Sequence, residues 1–132
     1  MMDRTQQVSG ATDAVLVLDT RRNERQLGAR GLDFLERRML FHAPKAHIEL
    51  RLPPASSVAG EMPWLYGQFV DPDAEVAAQE RVLVTLRSDQ GMSHSVEASE
   101  TGDFAMPCDP TAPFWLECLT PDGSVVRLRY EA

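Results

Sequence analysis

Asp71, Asp73 and Glu75 fall at alternate positions in WLYGQFVDPDAEVAAQERVLVTL, residues 64–86, between two alternating apolar runs. Carboxylates so spaced could hold a hard cation or share a proton. A calcium ion takes roughly six to eight oxygens and its loops usually carry a glycine at the sharp turn, but position 74 is alanine. Asp71-Pro72-Asp73 therefore reads as a chain reversal, with Pro72 presetting φ and the aspartates bonding nearby backbone amides.

His42, His47 and His94 are the only histidines, and Cys108 and Cys118 the only cysteines. Together they make a zinc set on paper, but no Cys-x-x-Cys or His-x-x-x-His spacing supports it, and neither metal nor other cofactor is expected. Two cysteines are too few for a disulfide scaffold and read as free thiols. Trp64 with Tyr66 and Trp115 with Phe114 are candidates for stacking sugars. Alternation puts Trp64 and Tyr66 on one face of a strand and Trp115 opposite Phe114 and Leu116, and one member of each pair is expected to fill the core. No Gly-x-Ser-x-Gly elbow, P-loop or dinucleotide fingerprint occurs, so catalysis is not expected.

The elements that position these groups belong to one compact chain. A sequence of 132 residues, 43% hydrophobic, suits a single core. No apolar run approaches the roughly 18 to 20 residues needed to span a bilayer, and MMDRTQQVSGATDAV lacks the apolar region of a secretory signal. A cytoplasmic location and no membrane association are expected. The net charge of −7 is uneven: residues 21–51 sum to +4 and residues 52–132 to −9. An acidic body repels a polyanion, which argues against nucleic acid.

AVLVLD, residues 14–19, reads as a short strand. Thr20 to about Ala43 is rich in helix formers, with Asp19 or Thr20 as N-cap and Pro44 as stop, which predicts one long helix. Leu27, Phe34 and Phe41 recur every seven residues on it, beside a second arc of Leu32, Leu35, Met39 and Leu40. Gly28 and Gly31 cost it about 1 kcal/mol each relative to alanine, so it needs packing to persist. The second arc is expected to cover the body and the first to meet a protein partner or a second copy, with Arg30, Arg37 and Arg38 selecting an acidic surface. HIELRL, residues 47–52, alternates cleanly as a half-buried strand. PPASSVAGEMP, residues 53–63, is the most linker-like stretch and is read as the boundary between an N-terminal extension, 1–62, and a body, 63–132, expected to fold alone.

Within that body WLYGQFVD, RVLVTLRS, SHSVEAS, DFAMPC, FWLECLT and SVVRLRYE are separated by turn-forming breaks such as DQG, ETG and PDG. Six short strands so spaced predict an antiparallel sandwich. Pro121-Asp122-Gly123 is the clearest hairpin signal.

The run LYGQFVDPDAEVAAQERVLVTLRS, followed by ETGDF and APFWLEC, resembles the carboxypeptidase regulatory-like domain, a seven-stranded sandwich of the transthyretin-like (prealbumin-like) type. Gly67, Val70 and Asp71, then Val82, Val84 and Leu86, then Gly102 and Phe104, and finally Pro113 and Leu116 match its pattern, while Ala74, Val76 and Gln79-Glu80 depart from it. The resemblance covers about residues 63–132 and implies a seven-stranded antiparallel transthyretin-like sandwich carrying the N-terminal helical extension. The active sites of two enzyme groups on similar sandwiches, the hydroxyisourate hydrolases and the intradiol dioxygenases, do not transfer: the chain ends Arg129-Tyr130-Glu131-Ala132, and its only tyrosines are Tyr66 and Tyr130. The expected function is a non-catalytic interaction or adaptor module, a small subunit or regulator in a larger complex. A carbohydrate- or peptide-binding sandwich is the alternative, and a cryptic hydrolase the third reading.

Overall fold

A computed structural model describes residues 11–20, 36–53, 63–71 and 81–131. Among them the chain forms ten strands: β1 (Ala11–Asp13), β2 (Val15–Asp19), β3 (Arg37–Ala43), β4 (Ala46–Leu52), β5 (Trp64–Val70), β6 (Leu83–Ser88), β7 (Ser93–Glu97), β8 (Asp103–Pro107), β9 (Phe114–Leu119) and β10 (Val125–Tyr130). They build two five-stranded sheets, ordered β1-β10-β9-β6-β7 and β2-β3-β4-β5-β8, here called the β9 sheet and the β4 sheet after their central strands.

This corrects the expected fold in three respects. There are ten strands rather than seven, β1 runs parallel to β10, and no helical element occurs among the described residues. The helix expected over about 20–43 is replaced at its C-terminal end by β3. In RRMLFHA the burial alternates: Met39 and Phe41 are each 2% exposed, while Arg38 and His42 face solvent. That is period two, which a strand satisfies and a helix cannot. A tight turn at Pro44-Lys45 then pairs the whole of β3 with β4, from Ala43 opposite Ala46 to Arg37 opposite Leu52. Residues 21–35 of the expected helix, with Leu27, Arg30 and Phe34, lie outside the described residues. No described helix is long and apolar enough to cross a membrane.

β5 to β10 coincide with the six runs read after residue 63. Their hairpins use the expected chemistry, with Gly91 and Gly123 at φ near +90° in the β6–β7 and β9–β10 turns. However, β4 and β5, on either side of the linker-like stretch, are antiparallel neighbours from His47–Val70 to Arg51–Tyr66. Residues before and after it therefore share one core: Ile48, Leu50, Leu65, Val84, Met106, Leu116 and Leu128 are each no more than 1% exposed. Each such side chain contributes roughly 1.5 to 3 kcal/mol by leaving water.

The sheets are tied together at their edges. At Ala14 the chain passes from one to the other, its amide donating to the Arg127 carbonyl at 2.8 Å. Deeper, Arg37 reaches inward from β3: Nε and Nη2 donate to the Asp19 carboxylate at 3.0 and 2.7 Å, and Nη1 donates to the Tyr130 hydroxyl at 3.2 Å. Tyr130 donates onward to the Pro110 carbonyl at 2.7 Å and stacks on Phe114 at 4.6 Å. Burial alone would lower the Arg37 pKa, but the hydrogen bonds and charge of Asp19, with Tyr130, outweigh it and hold the pKa above its ordinary value.

Candidate functional site

Alternation along β3, β4, β5 and β8 sends every second side chain outward, and the register lines these up in rows across the β4 sheet. One row runs Val15, His42, His47, Val70; the next Leu18, Leu40, Glu49, Gln68, Asp103; the third Arg38, Arg51, Tyr66, Ala105; Trp64 stands beyond, opposite Pro107. Arg38 pairs with Glu49 at 3.1 Å, and Gln68 donates to the Thr101 carbonyl at 3.3 Å. A shallow depression lies among Arg38, Glu49, Arg51, Gly67, Gln68 and Asp103.

Gly67 belongs to the inner side of this floor. A Cβ there would lie 2.2 Å from the Phe104 ring, so the bare glycine lets that ring cross over β5. Gly102, at φ +86°, brings its carbonyl to the Phe69 amide at 2.9 Å in the turn between β7 and β8. Gly67 and Gly102, two of the residues that carry the family resemblance, thus act as a packing position and a turn position.

Beside the depression the face becomes aromatic. Trp64 is 47% exposed and Tyr66 49%, on the same side of β5. Of nine large exposed apolar side chains among the described residues, six sit on β2 and β5: Val15, Val17, Leu18, Trp64, Tyr66 and Val70. Apolar exposure is thus concentrated at one sheet, the arrangement that marks contact surfaces. Arg51, directly opposite Tyr66, makes no ion pair among the described residues.

The outer face of the β9 sheet is different. Asp13 pairs with Arg127 at 2.6 Å, Glu117 with Arg87 at 3.0 Å, Glu97 with Arg81 at 3.2 Å, and Asp89 takes a two-pronged contact from Arg129 at 2.8 and 2.7 Å. The Arg129 guanidinium holds the Asp89 carboxyl below its usual range. Trp115 faces outward here, half-buried, with the guanidinium carbons of Arg127 and Arg129 at 5.0 and 5.3 Å from its ring centre. Of the two indoles, Trp64 alone is open.

The remaining candidates separate. Phe41, expected to face a partner, is in the core, and Arg37, expected at its rim, is in the buried pair with Asp19; both corrections follow from β3 being a strand with these positions inward. Arg38 remains on the surface. Of the acidic loop only Asp71 is described, at the end of β5, and Asp73 and Glu75 lie outside the described residues. Cys108 and Cys118 are free and buried; burial first, then a neighbouring acidic side chain, pushes both thiols up to about 12, which leaves them inert at neutral pH. His42 and His47 meet across the β3–β4 hairpin, with ring centres 4.1 Å apart, while His94 stands on β7 in the other sheet. No group of three or more metal-ligating side chains occurs among the described residues.

Arg51, Gln68 and Asp103 were not singled out by sequence reasoning. Alternation in HIELRL already put Arg51 on the polar side, but its placement beside Tyr66 depends on the pairing of β4 with β5 across the stretch that reads as a linker. No protein-family model, curated protein or solved structure matches the chain.

Proposed function

We propose that the protein is a non-catalytic binding module, a small subunit or regulator within a larger complex, that docks a protein partner on the outer face of the β4 sheet. The observation that carries this is the cluster of Trp64, Tyr66 and Arg51 on one exposed surface. Tryptophan, tyrosine and arginine are the side chains that most often dominate interface energetics, and each of these half-exposed rings can still remove about half of the roughly 150 to 250 Å² that an aromatic buries. The partner suited to it presents an apolar or aromatic patch with a carboxylate placed to meet Arg51. The non-catalytic element is supported by the sequence, which carries no Gly-x-Ser-x-Gly elbow, P-loop or dinucleotide fingerprint.

A second reading is favoured by one specific feature: Gln68 and Asp103 adjoin the aromatics on the same face, and an amide and a carboxylate beside stacking rings also suit an oligosaccharide. One experiment separates the two. A photoreactive amino acid in place of Tyr66 captures the contacting molecule in the native host, and the captured protein is then reconstituted with the purified chain. Trp64→Ala combined with Tyr66→Ala is expected to weaken that binary complex about 100-fold or more, while Leu119→Ala on the opposite sheet leaves it unchanged. A complex that survives the double substitution removes this face from the proposal. Saturable quenching of Trp64 fluorescence by oligosaccharides, read in a Trp115→Phe background, with no protein captured, would put the second reading in its place.

A further inference from the structure

The pairing of His42 with His47 has a chemistry that neither docking reading uses. The two residues are direct cross-strand partners next to a tight turn, so their Cβ atoms leave the same side of the sheet at fixed separation. Their rings are tilted by 49° rather than stacked, with centres 4.1 Å apart. His42 is exposed, His47 half-buried, and the apolar Val15 and Val70 close the row on either side.

We propose that His42 and His47 form a bidentate imidazole site for a divalent transition-metal ion, with Cu²⁺ preferred over Ni²⁺ and Zn²⁺. An ion bound to one nitrogen of each ring at about 2.0 to 2.1 Å, with the two bonds roughly 90 to 110° apart, places the ring centres roughly 4.5 to 5.2 Å from each other. The observed 4.1 Å is short of this by about 0.4 to 1.1 Å, a change that small side-chain rotations supply. Imidazole suits these borderline ions better than calcium or magnesium, which take oxygen, and the order of preference follows the general affinity series for divalent metals. The hairpin provides the advantage over a lone surface histidine: once one ring binds, the second is already held within reach, so its binding is intramolecular. The ion's other positions are open to water.

The test uses the full chain and the chlorides of Cu²⁺, Ni²⁺ and Zn²⁺, with binding followed by competition against a chromophoric chelator. One ion per chain is expected, with His42→Gln or His47→Gln each weakening binding at least about tenfold and His94→Gln having no effect. Unchanged affinity in both His42→Gln and His47→Gln, or loss only in His94→Gln, overturns the proposal. A measurement on the unaltered protein guards against a variant that misfolds: in an imidazole NMR titration with Zn²⁺, the His42 and His47 rings should shift together along one saturation curve. A shift of one ring alone, or of all three histidines in parallel, would equally defeat the assignment.

Discussion

On the outer face of the β9 sheet, Asp13, Glu97 and Glu117 each meet an arginine on a neighbouring strand or just beyond its end, and the indole lies against two guanidiniums. On the outer face of the β4 sheet Arg38 pairs with Glu49 and, among the described residues, Arg51 makes no ion pair, while the indole and phenol of β5 meet solvent. Exposed ion pairs contribute little stability individually. Their effect is to leave the first face with its charges already matched, while the second retains aromatic area and an arginine that another molecule can use. What distinguishes the faces is how far each satisfies itself, and the overall charge of −7 conceals this.

The most severe way to break the comparison is to separate the sheets. A fragment beginning at Pro63 keeps β10, β9, β6 and β7, four of the five strands of the matched sheet, but only β5 and β8 of the open one. β5, which carries Leu65 and Phe69, would lose its neighbour β4 and with it the hydrogen-bonded pairing along one side. The fragment is expected to show no cooperative thermal transition and to bind a hydrophobic dye, and a sharp melt from this piece would show that the β4 sheet does not need its first three strands.

Next in size is the buried ion pair between β2 and β3, whose arginine also reaches across to Tyr130 of the other sheet. Arg37→Ala leaves Asp19 inside without its guanidinium, and breaking a buried pair from one side costs about 3 to 5 kcal/mol. Replacing both residues by apolar ones of similar volume should cost markedly less. Urea denaturation of the two variants measures the difference; equal losses would mean that Arg37 acts through packing on Tyr130 rather than through its charge.

The two tryptophans sharpen the comparison on a smaller scale. Trp115→Ala removes contacts with Arg127 and Arg129 and should lower stability by about 1 to 2 kcal/mol. Trp64→Ala, on the open face, should stay within about 0.5 kcal/mol of the parent. The reverse order in chemical denaturation would place the structural indole on the wrong sheet.

The smallest effect is a pH dependence. Asp89, Asp109 and Asp122, all at connections bordering the β9 sheet, are held below the ordinary carboxylate range: Asp89 by Arg129, Asp109 by Thr111, and Asp122, down to about 2, by Thr120 and Ser124. A depressed folded-state pKa stabilises fully above the unfolded value, near 4, and this contribution disappears as pH falls toward the lowered one. The gap in melting temperature between the parent and Asp122→Ala should therefore be widest near pH 6 and narrow as the pH approaches 2. A gap that is constant with pH would assign the loss to turn geometry instead of charge.

Much of the fold after Pro63 was legible because its signals are local. Alternation sets the faces of β5 to β10, and a glycine at positive φ sets the hairpin at Pro121-Asp122-Gly123. The shared face of Trp64 and Tyr66 follows from the same alternation. The segment Arg37–Ala43 was misread because its residues are good helix formers and Leu27, Phe34 and Phe41 repeat every seven positions, a spacing that hides the two-residue period of seven residues at its end.

Sequence by itself determined which side chains share a face within a strand, since that depends only on backbone pleat. Tertiary structure alone decided which strands lie side by side: the pairing of β3 with β4 turned Phe41 and Arg37 inward and joined His42 to His47, and the pairing of β4 with β5 set Arg51 beside Tyr66. The physical reason is that a seven-residue segment has too few local contacts to choose between helix and strand. The choice falls to the hydrogen bonds and buried area supplied by whichever neighbour it meets.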